Sequence, residues 1–113
     1  MHELSIAQNI LDIVNEQLLV NNLSRAIKVS LRIGKLAAVE PESLKFCFEI
    51  VTRNTKAEGS VLEIERTPIR CICNNCQTVF ILDELDSICP KCTGNSREVI
   101  SGSELEVVGL EAE

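Results

Sequence analysis

The chain has 113 residues, with 11 basic against 17 acidic side chains and a formal net charge of −6. Nucleic-acid binders concentrate Lys and Arg on one face, and because this sequence has no basic run, we expect no nucleic-acid partner. Residues 1–20 lack the basic start and unbroken apolar core of a secretory signal, and no stretch reaches the roughly 18 apolar residues of a membrane span. We therefore expect a cytoplasmic protein without membrane insertion, in which the six cysteines stay reduced.

The first predicted element is a helix. Ser5 and Gln8 fit a capping box, in which the two side chains satisfy free backbone N–H groups, so the helix is predicted to begin at Ser5. An apolar stripe at helical spacing follows it, formed by Ala7, Ile10, Leu11, Val14 and Leu18. The pair Asn21-Asn22 is expected to end the helix.

A strand and a second helix follow. Apolar residues alternate with Lys28, Ser30 and Arg32 from residue 27 to residue 33, which predicts a strand with one buried face that ends at Gly34. Pro41 suits the first position of a helix, and the residues after it present a broad apolar surface.

Two further alternating segments, at 62–65 and 104–107, predict two more strands. The predicted fold class is α+β, with a three-stranded sheet and two helices plus an inserted four-cysteine zinc ribbon. The expected domains are residues 1–70 with 98–113, and the insertion 71–97. The insertion has too few large apolar residues to bury a stable core of its own.

The cysteines could stabilise the insertion by binding a metal ion. Cys73 and Cys76 form one CxxC pair and Cys89 and Cys92 another, twelve residues apart. Two such turns place four thiolates around one ion in the closed tetrahedral geometry of structural zinc, which leaves no position for catalytic water. Cys71 is an alternative to Cys73 as a ligand, although a buried strand residue is the simpler interpretation. Cys47 is expected to be a core thiol, and unliganded redox CxxC pairs are the alternative for the four.

The N-terminal Met1-His2-Glu3 is a second candidate metal site. The amine of Met1, the amide and imidazole nitrogens of His2, and the amide or carboxylate of Glu3 offer the planar ligand set that suits Ni(II) or Cu(II). His2 is the only histidine of the chain. The alternative is a solvated histidine without a metal role.

Together these features resemble the HypA/HybF family, the nickel-insertion accessory proteins of [NiFe]-hydrogenase maturation. The resemblance is carried by the N-terminal Met-His-Glu, the strand and glycine at 29–34, the segment 40–48, and the motif Cys-x-x-Cys…Cys-Pro-x-Cys. It covers essentially the whole chain.

The resemblance implies nickel at Met1, His2 and Glu3, with Glu40 as a further acidic candidate near the nickel. It implies zinc on the two CxxC pairs. The implied partners are the GTPase HypB, the precursor of the hydrogenase large subunit and, for some members, UreE in urease maturation. In this interpretation Zn²⁺ is structural and Ni²⁺ is cargo.

Two other classes compete with a nickel metallochaperone. One is a zinc-ribbon module that binds a protein or nucleic acid and has no nickel affinity. The other is an enzyme, which we do not expect because the sequence shows no paired catalytic carboxylates, no nucleophile motif and no glycine-rich phosphate loop.

Overall fold

The structure is a computed structural model that describes residues 2–82 and 88–113. It confirms the α+β class. Within these residues, no helix is long and apolar enough to cross a membrane. The elements in chain order are α1 (His2–Val20), β1 (Ala26–Gly34), a 3₁₀ turn (Lys35–Ala37), α2 (Pro41–Val51), β2 (Val61–Thr67), β3 (Ile69–Cys73), β4 (Val79–Leu82), β5 (Arg97–Ser101) and β6 (Leu105–Ala112).

The chain divides into two compact units. We call Met1–Arg32, Val39–Glu65 and Glu106–Glu113 the helix–sheet unit, and Ile33–Ala38 with Arg66–Leu105 the cysteine unit. The domain boundaries predicted from the sequence, 1–70 with 98–113 and 71–97, stay a prediction.

The three predicted strands form one sheet in the order β2–β1–β6. Val29, Leu31 and Ile33 are buried, as their alternation predicts. On the polar face, the Arg32 guanidinium bridges Glu65 at 3.1 Å and Glu106 at 3.3 Å. The hydrogen bond to Glu65 and the negative charges of both carboxylates raise the pKa of Arg32. The sheet thus has an ionic link across all three strands.

Helix α1 buries the predicted stripe, including Ala7, Val14 and Leu18. Its predicted start at Ser5 is wrong, because the helix already includes His2. Nothing in residues 2–4 opposes a helix, and Glu3 suits the positive end of the helix dipole. Ser5 therefore lies inside the helix rather than at its cap.

Helix α2 begins at Pro41, as predicted. Glu40 is its N-cap residue, and the Glu40 carboxylate accepts a hydrogen bond from the Glu42 amide at 3.1 Å. The helix buries Leu44, Cys47 and Phe48, and its contacts with α1 build the core of the helix–sheet unit.

The cysteine unit contains a second antiparallel sheet in the order β4–β3–β5. From the sequence, residues 78–82 are also expected to form a strand that leaves the first CxxC pair, and β4 confirms this strand, whereas β5 was not predicted. In the same unit, Gly34 approaches the backbone of Gly102 so closely that a Cβ on Gly34 would overlap the Gly102 carbonyl. Gly34 thus ends β1 where two backbone segments meet.

Candidate metal centres

Four cysteine side chains of the cysteine unit converge. The Sγ atoms of Cys73, Cys76, Cys89 and Cys92 all lie within 4.8 Å of one another. Cys73 and Cys92 lie 3.5 Å apart at their Sγ atoms, and Cys76 and Cys89 lie 3.6 Å apart. A tetrahedron with Zn–S bonds of about 2.3 Å has S···S edges of about 3.8 Å. The four thiols therefore fit a closed tetrahedral zinc site.

The backbone explains why the thiols converge, since the two CxxC turns have the same hydrogen-bond pattern. In the first turn, the Cys73 amide donates to the Thr78 carbonyl at 2.9 Å, and the Gln77 amide donates to the Cys73 carbonyl at 3.0 Å. The second turn repeats both bonds at 3.0 Å, from Cys89 to Gly94 and from Thr93 to Cys89. Each turn thus presents its two sulfurs as a preformed pair.

The residue after each pair has a left-handed backbone. Gln77 has φ 63° and Thr93 has φ 61°, a conformation that is uncommon outside glycine. In the second turn the next position is crowded, because a Cβ on Gly94 would lie 2.6 Å from the side-chain amide nitrogen of Asn75. The left-handed conformation of these two residues could not be predicted from the sequence, because neither Gln nor Thr favours it.

A polar link joins the two turns. The Asn74 amide donates to the Ser96 carbonyl at 3.0 Å, and the Asn74 side-chain amide donates to the Ser96 hydroxyl at 2.8 Å. Asn74 lies between the first two cysteines and Ser96 lies four residues after Cys92. This link was missed by sequence reasoning, because twenty-two residues separate its partners.

Hydrogen bonds and neighbouring thiols shift the pKa values of Cys73, Cys76 and Cys92. The Thr78 hydroxyl donates to Cys76 and lowers the pKa of that thiol to about 6. The backbone amide of Cys76 lowers the pKa of Cys73. The Gly94 amide lowers the pKa of Cys92, but the neighbouring thiols Cys73 and Cys76 outweigh it and raise that pKa to about 12. A metal ion that binds all four sulfurs must therefore displace protons.

The geometry shows which of Cys71 and Cys73 belongs to the four-thiol cluster. Cys73 is among the four converging thiols, whereas Cys71 is fully buried in β3 opposite Phe80 and Val99. Cys47 is a buried residue of α2. Both cysteines therefore occupy the core positions that the simpler interpretation predicted.

The second candidate site lies at the start of α1. Met1 lies outside the described residues. His2 is 64% exposed, and its Nε2 atom lies 3.2 Å from the Glu3 carboxylate, which is 16% exposed. The same carboxylate oxygen accepts a hydrogen bond from the Glu40 amide at 3.4 Å. The structure therefore brings His2, Glu3 and Glu40 together in the helix–sheet unit.

The main chain of Glu40 also belongs to this neighbourhood. The Glu40 carboxylate caps α2 through the Glu42 amide, so Glu40 contacts Glu3 by its main chain. The proximity of residues 3 and 40 could not be read from their spacing along the sequence.

Comparisons with known proteins agree along the whole chain. A family model described as "Hydrogenase/urease nickel incorporation, metallochaperone, hypA" matches residues 1–112. The "Hydrogenase maturation factor HypA" of Azotobacter chroococcum mcd 1 is 44% identical, and that of Azotobacter vinelandii is 42% identical. Both alignments span 113 residues and cover 100% of each chain.

Two solved structures share the fold. The "Solution structure of HypA protein" has a TM-score of 0.75 at 23% identity and covers 100% of this chain and 97% of that one. The "Solution structure of the Ni metallochaperone HypA from Helicobacter pylori" has a TM-score of 0.66 at 22% identity, with 97% and 96% covered.

The fold and the whole-chain family match define a nickel metallochaperone of metalloenzyme maturation. The chain belongs to the HypA family of hydrogenase maturation factors. The resemblance stated from the sequence is thereby confirmed.

Proposed function

We propose that this chain binds Ni(II) at its N-terminus through Met1, His2 and Glu3 and delivers it to the large subunit of [NiFe]-hydrogenase. The observation that carries the proposal is the contact of His2 and Glu3 at the first turn of α1, where the His2 Nε2 atom lies 3.2 Å from the Glu3 carboxylate. Nitrogen donors in a plane suit Ni(II) better than they suit Zn(II).

A second metal, Zn²⁺, is proposed at Cys73, Cys76, Cys89 and Cys92. Four thiolates saturate a tetrahedral ion, so this metal would hold the fold of the cysteine unit and leave no position for catalytic water. The two sites therefore differ in purpose: the four cysteines keep their ion, and the terminal site exchanges its ion. A protein with this division of roles acts as a carrier rather than as an enzyme.

Exposure supports release as well as binding. His2 is 64% exposed, so a recipient can approach the ion and replace the ligands one at a time. The proposed partners are the hydrogenase large subunit, the GTPase HypB and, where urease is matured, UreE, all within the cytoplasm. The family description mentions nickel incorporation into hydrogenase and urease, which supports a recipient in each of these two maturation routes.

The decisive experiment measures metal content and nickel titration of untagged protein, with and without His2→Ala. We expect one tightly held zinc in both proteins and one additional nickel that the variant does not bind. Gln8→Ala is a matched control on the exposed face of α1 and should retain the nickel. One zinc without His2-dependent nickel would refute the proposal and favour a zinc-ribbon interaction module.

The role of Glu40 is tested separately. Glu40→Gln keeps an oxygen that can accept from the Glu42 amide but removes the negative charge. If the Glu40 carboxylate binds nickel, Glu40→Gln weakens nickel binding without changing the free energy of unfolding. Unchanged nickel affinity in Glu40→Gln would restrict Glu40 to capping α2 and holding Glu3 through its main chain.

A further inference from the structure

Strand β2 lies at one edge of the sheet in the helix–sheet unit. In the described part of the chain the sheet order is β2–β1–β6, so β2 has a sheet neighbour on one side only. Among those residues, no backbone amide or carbonyl of residues 61–65 pairs with a segment outside the sheet. Alternate backbone groups of this segment therefore point away from β1 and can pair with a further strand.

A cavity of about 410 Å³ lies beside this edge, between α2 and the start of β2. Phe48 of α2 and Leu62 of β2 line it and are buried, whereas Lys45 and Glu49 line it with exposed side chains. The cavity thus combines an apolar wall with a polar margin that is open to solvent. An edge strand with a lined cavity between it and a helix is an arrangement that binds extended peptides by strand addition.

On the other face of the sheet, charges alternate from strand to strand. Glu106 of β6 and Glu65 of β2 both bridge Arg32 of the central strand β1, at 3.3 Å and 3.1 Å. Glu63 of β2 lies 3.7 Å from Lys28 of β1. The carboxylates of Glu63 and Glu65 occupy the outermost strand and are 63% and 59% exposed. A strand beside β2 continues this alternation if it carries Lys or Arg, because opposite charges on neighbouring strands stabilise a sheet.

We propose that the outer edge of β2 binds an extended segment of a partner protein as an additional strand, in which apolar residues alternate with Lys or Arg. Successive side chains of a strand point to opposite faces, so the apolar residues face α2 and the cavity while the basic residues lie beside Glu63 and Glu65. A second copy of β2 is a poor occupant, since it would bring like charges together. This docking goes beyond the proposed function and does not depend on nickel.

The test uses fluorescence anisotropy of a labelled peptide of about eight residues in which Val and Lys alternate. A peptide of the same composition with all Val at one end keeps the net charge and loses the alternation, so it should bind roughly tenfold more weakly. A peptide that alternates Val and Glu should also bind roughly tenfold more weakly. Equal affinity of the two Val/Lys peptides would overturn strand addition, because net charge alone would then explain the binding.

A charge reversal tests which edge is used. Glu63→Lys should weaken binding of the alternating Val/Lys peptide and strengthen binding of the Val/Glu peptide. Glu111→Lys is the matched control, because Glu111 is exposed on β6, at the opposite edge of the same sheet, and the net charge changes equally. It should change either affinity less than about twofold at about 0.15 M salt, where exposed charges are screened beyond about 8 Å. Equal effects of the two variants would overturn β2 as the docking edge.

Amide hydrogen exchange of the wild-type protein locates the bound peptide. Alternate amides of residues 61–65 should exchange roughly tenfold more slowly in the complex, because they gain strand partners, whereas the amides of β6 should not change. Protection confined to β6, or no protection in residues 61–65 with the peptide bound, would overturn the proposal. His2→Ala should bind the peptide as wild type does. If wild-type protein binds no nickel while residues 61–65 are still protected, the proposed function fails and the docking edge stands.

Discussion

The two units of this chain are held together by different chemistry. The core of the helix–sheet unit consists almost entirely of aliphatic and aromatic side chains from both helices and the sheet, including Leu18, Leu31, Leu44 and Phe48. Among the residues that the structure describes, the buried apolar cluster of the cysteine unit consists of Ile69, Cys71, Cys73, Phe80, Leu82 and Cys89. Three of these six residues are cysteines, so half of the described cluster is thiol-bearing.

The difference shows where each unit obtains its stability. Burial of apolar area stabilises a fold by about 25 cal/mol per Å², and a cluster of six residues buries too little to offset the entropy of ordering some forty residues. The helix–sheet unit can fold on its apolar core. We therefore expect the cysteine unit to depend on an ion that joins its two CxxC turns.

Removal of the metal is the change with the largest expected effect. Complete chelation should unfold the cysteine unit and leave the helix–sheet unit folded, because structural zinc contributes about 10–16 kcal/mol of apparent binding free energy in small zinc domains. Amide NMR spectra check this: signals of β3, β4 and β5 should collapse into the unfolded range. Signals of α1 and α2 should keep their dispersion.

The matched variants are Cys73→Ser and Cys71→Ser. Cys73→Ser should reproduce the effect of chelation, whereas Cys71→Ser should retain zinc, since its thiol is not among the four that converge. Retention of an ordered β3–β4–β5 sheet after complete removal of zinc would mean that the two units do not differ in this way.

A cavity in the apolar core should have the opposite effect, because it should destabilise the helix–sheet unit and leave zinc binding by the cysteine unit unchanged. Leu44 is fully buried in α2, so Leu44→Ala should lower the free energy of unfolding of the helix–sheet unit by about 2–5 kcal/mol. Zinc content should remain one per chain. Leu19→Ala is the control, because Leu19 is 77% exposed and its truncation should cost less than about 0.5 kcal/mol. Urea denaturation followed by circular dichroism measures both variants.

The same contrast explains how much the sequence could predict. In the helix–sheet unit, hydrophobic periodicity indicated the sheet and both helices, because α1, β1 and α2 each have one buried face and one exposed face. The start of α1 was misplaced because Ser5 imitates a cap, although residues 2–4 are equally compatible with a helix. A local pattern of this kind does not specify where a helix begins.

In the cysteine unit, the spacing of the cysteines predicted the metal cluster, but periodicity missed β5. Its residues Arg97–Ser101 show no alternation of buried and exposed positions, and its register against β3 shifts between Arg70 and Cys71. The contacts of Asn74 with Ser96 and of Glu3 with Glu40 are long-range. They follow from the fold, and no short window of sequence contains both partners.

A close backbone contact tests the cysteine unit without touching a cysteine. Gly34→Ala would push a methyl group into the Gly102 carbonyl, and the strain should cost about 1–3 kcal/mol. Gly109→Ala is the control, because its Cβ would lie 3.6 Å from the Ser30 side chain, which is ordinary contact. Thermal unfolding of the zinc-loaded proteins compares them. Equal midpoints would show that the backbone at Gly34 yields without strain.

The smallest expected effects come from two threonine hydroxyls, one in each unit. The Thr52 hydroxyl donates to the Phe48 carbonyl at 2.8 Å inside the helix–sheet unit, whereas the Thr78 hydroxyl lies 3.1 Å from the Cys76 sulfur. Thr52→Val should lower the free energy of unfolding by about 1 kcal/mol and leave zinc affinity unchanged. Thr78→Val should lower zinc affinity by about tenfold, because the hydroxyl stabilises the thiolate that the ion requires.

Competition with a zinc chelator and urea denaturation, applied to both variants, separate these two effects. The matched changes keep each hydroxyl, so Thr52→Ser should retain most of the wild-type free energy of unfolding and Thr78→Ser most of the wild-type zinc affinity. If Thr52→Val weakened zinc binding as much as Thr78→Val does, the stability of the two units would be coupled. The two units are stabilised independently only if Thr52→Val lowers the free energy of unfolding alone and Thr78→Val lowers the zinc affinity alone.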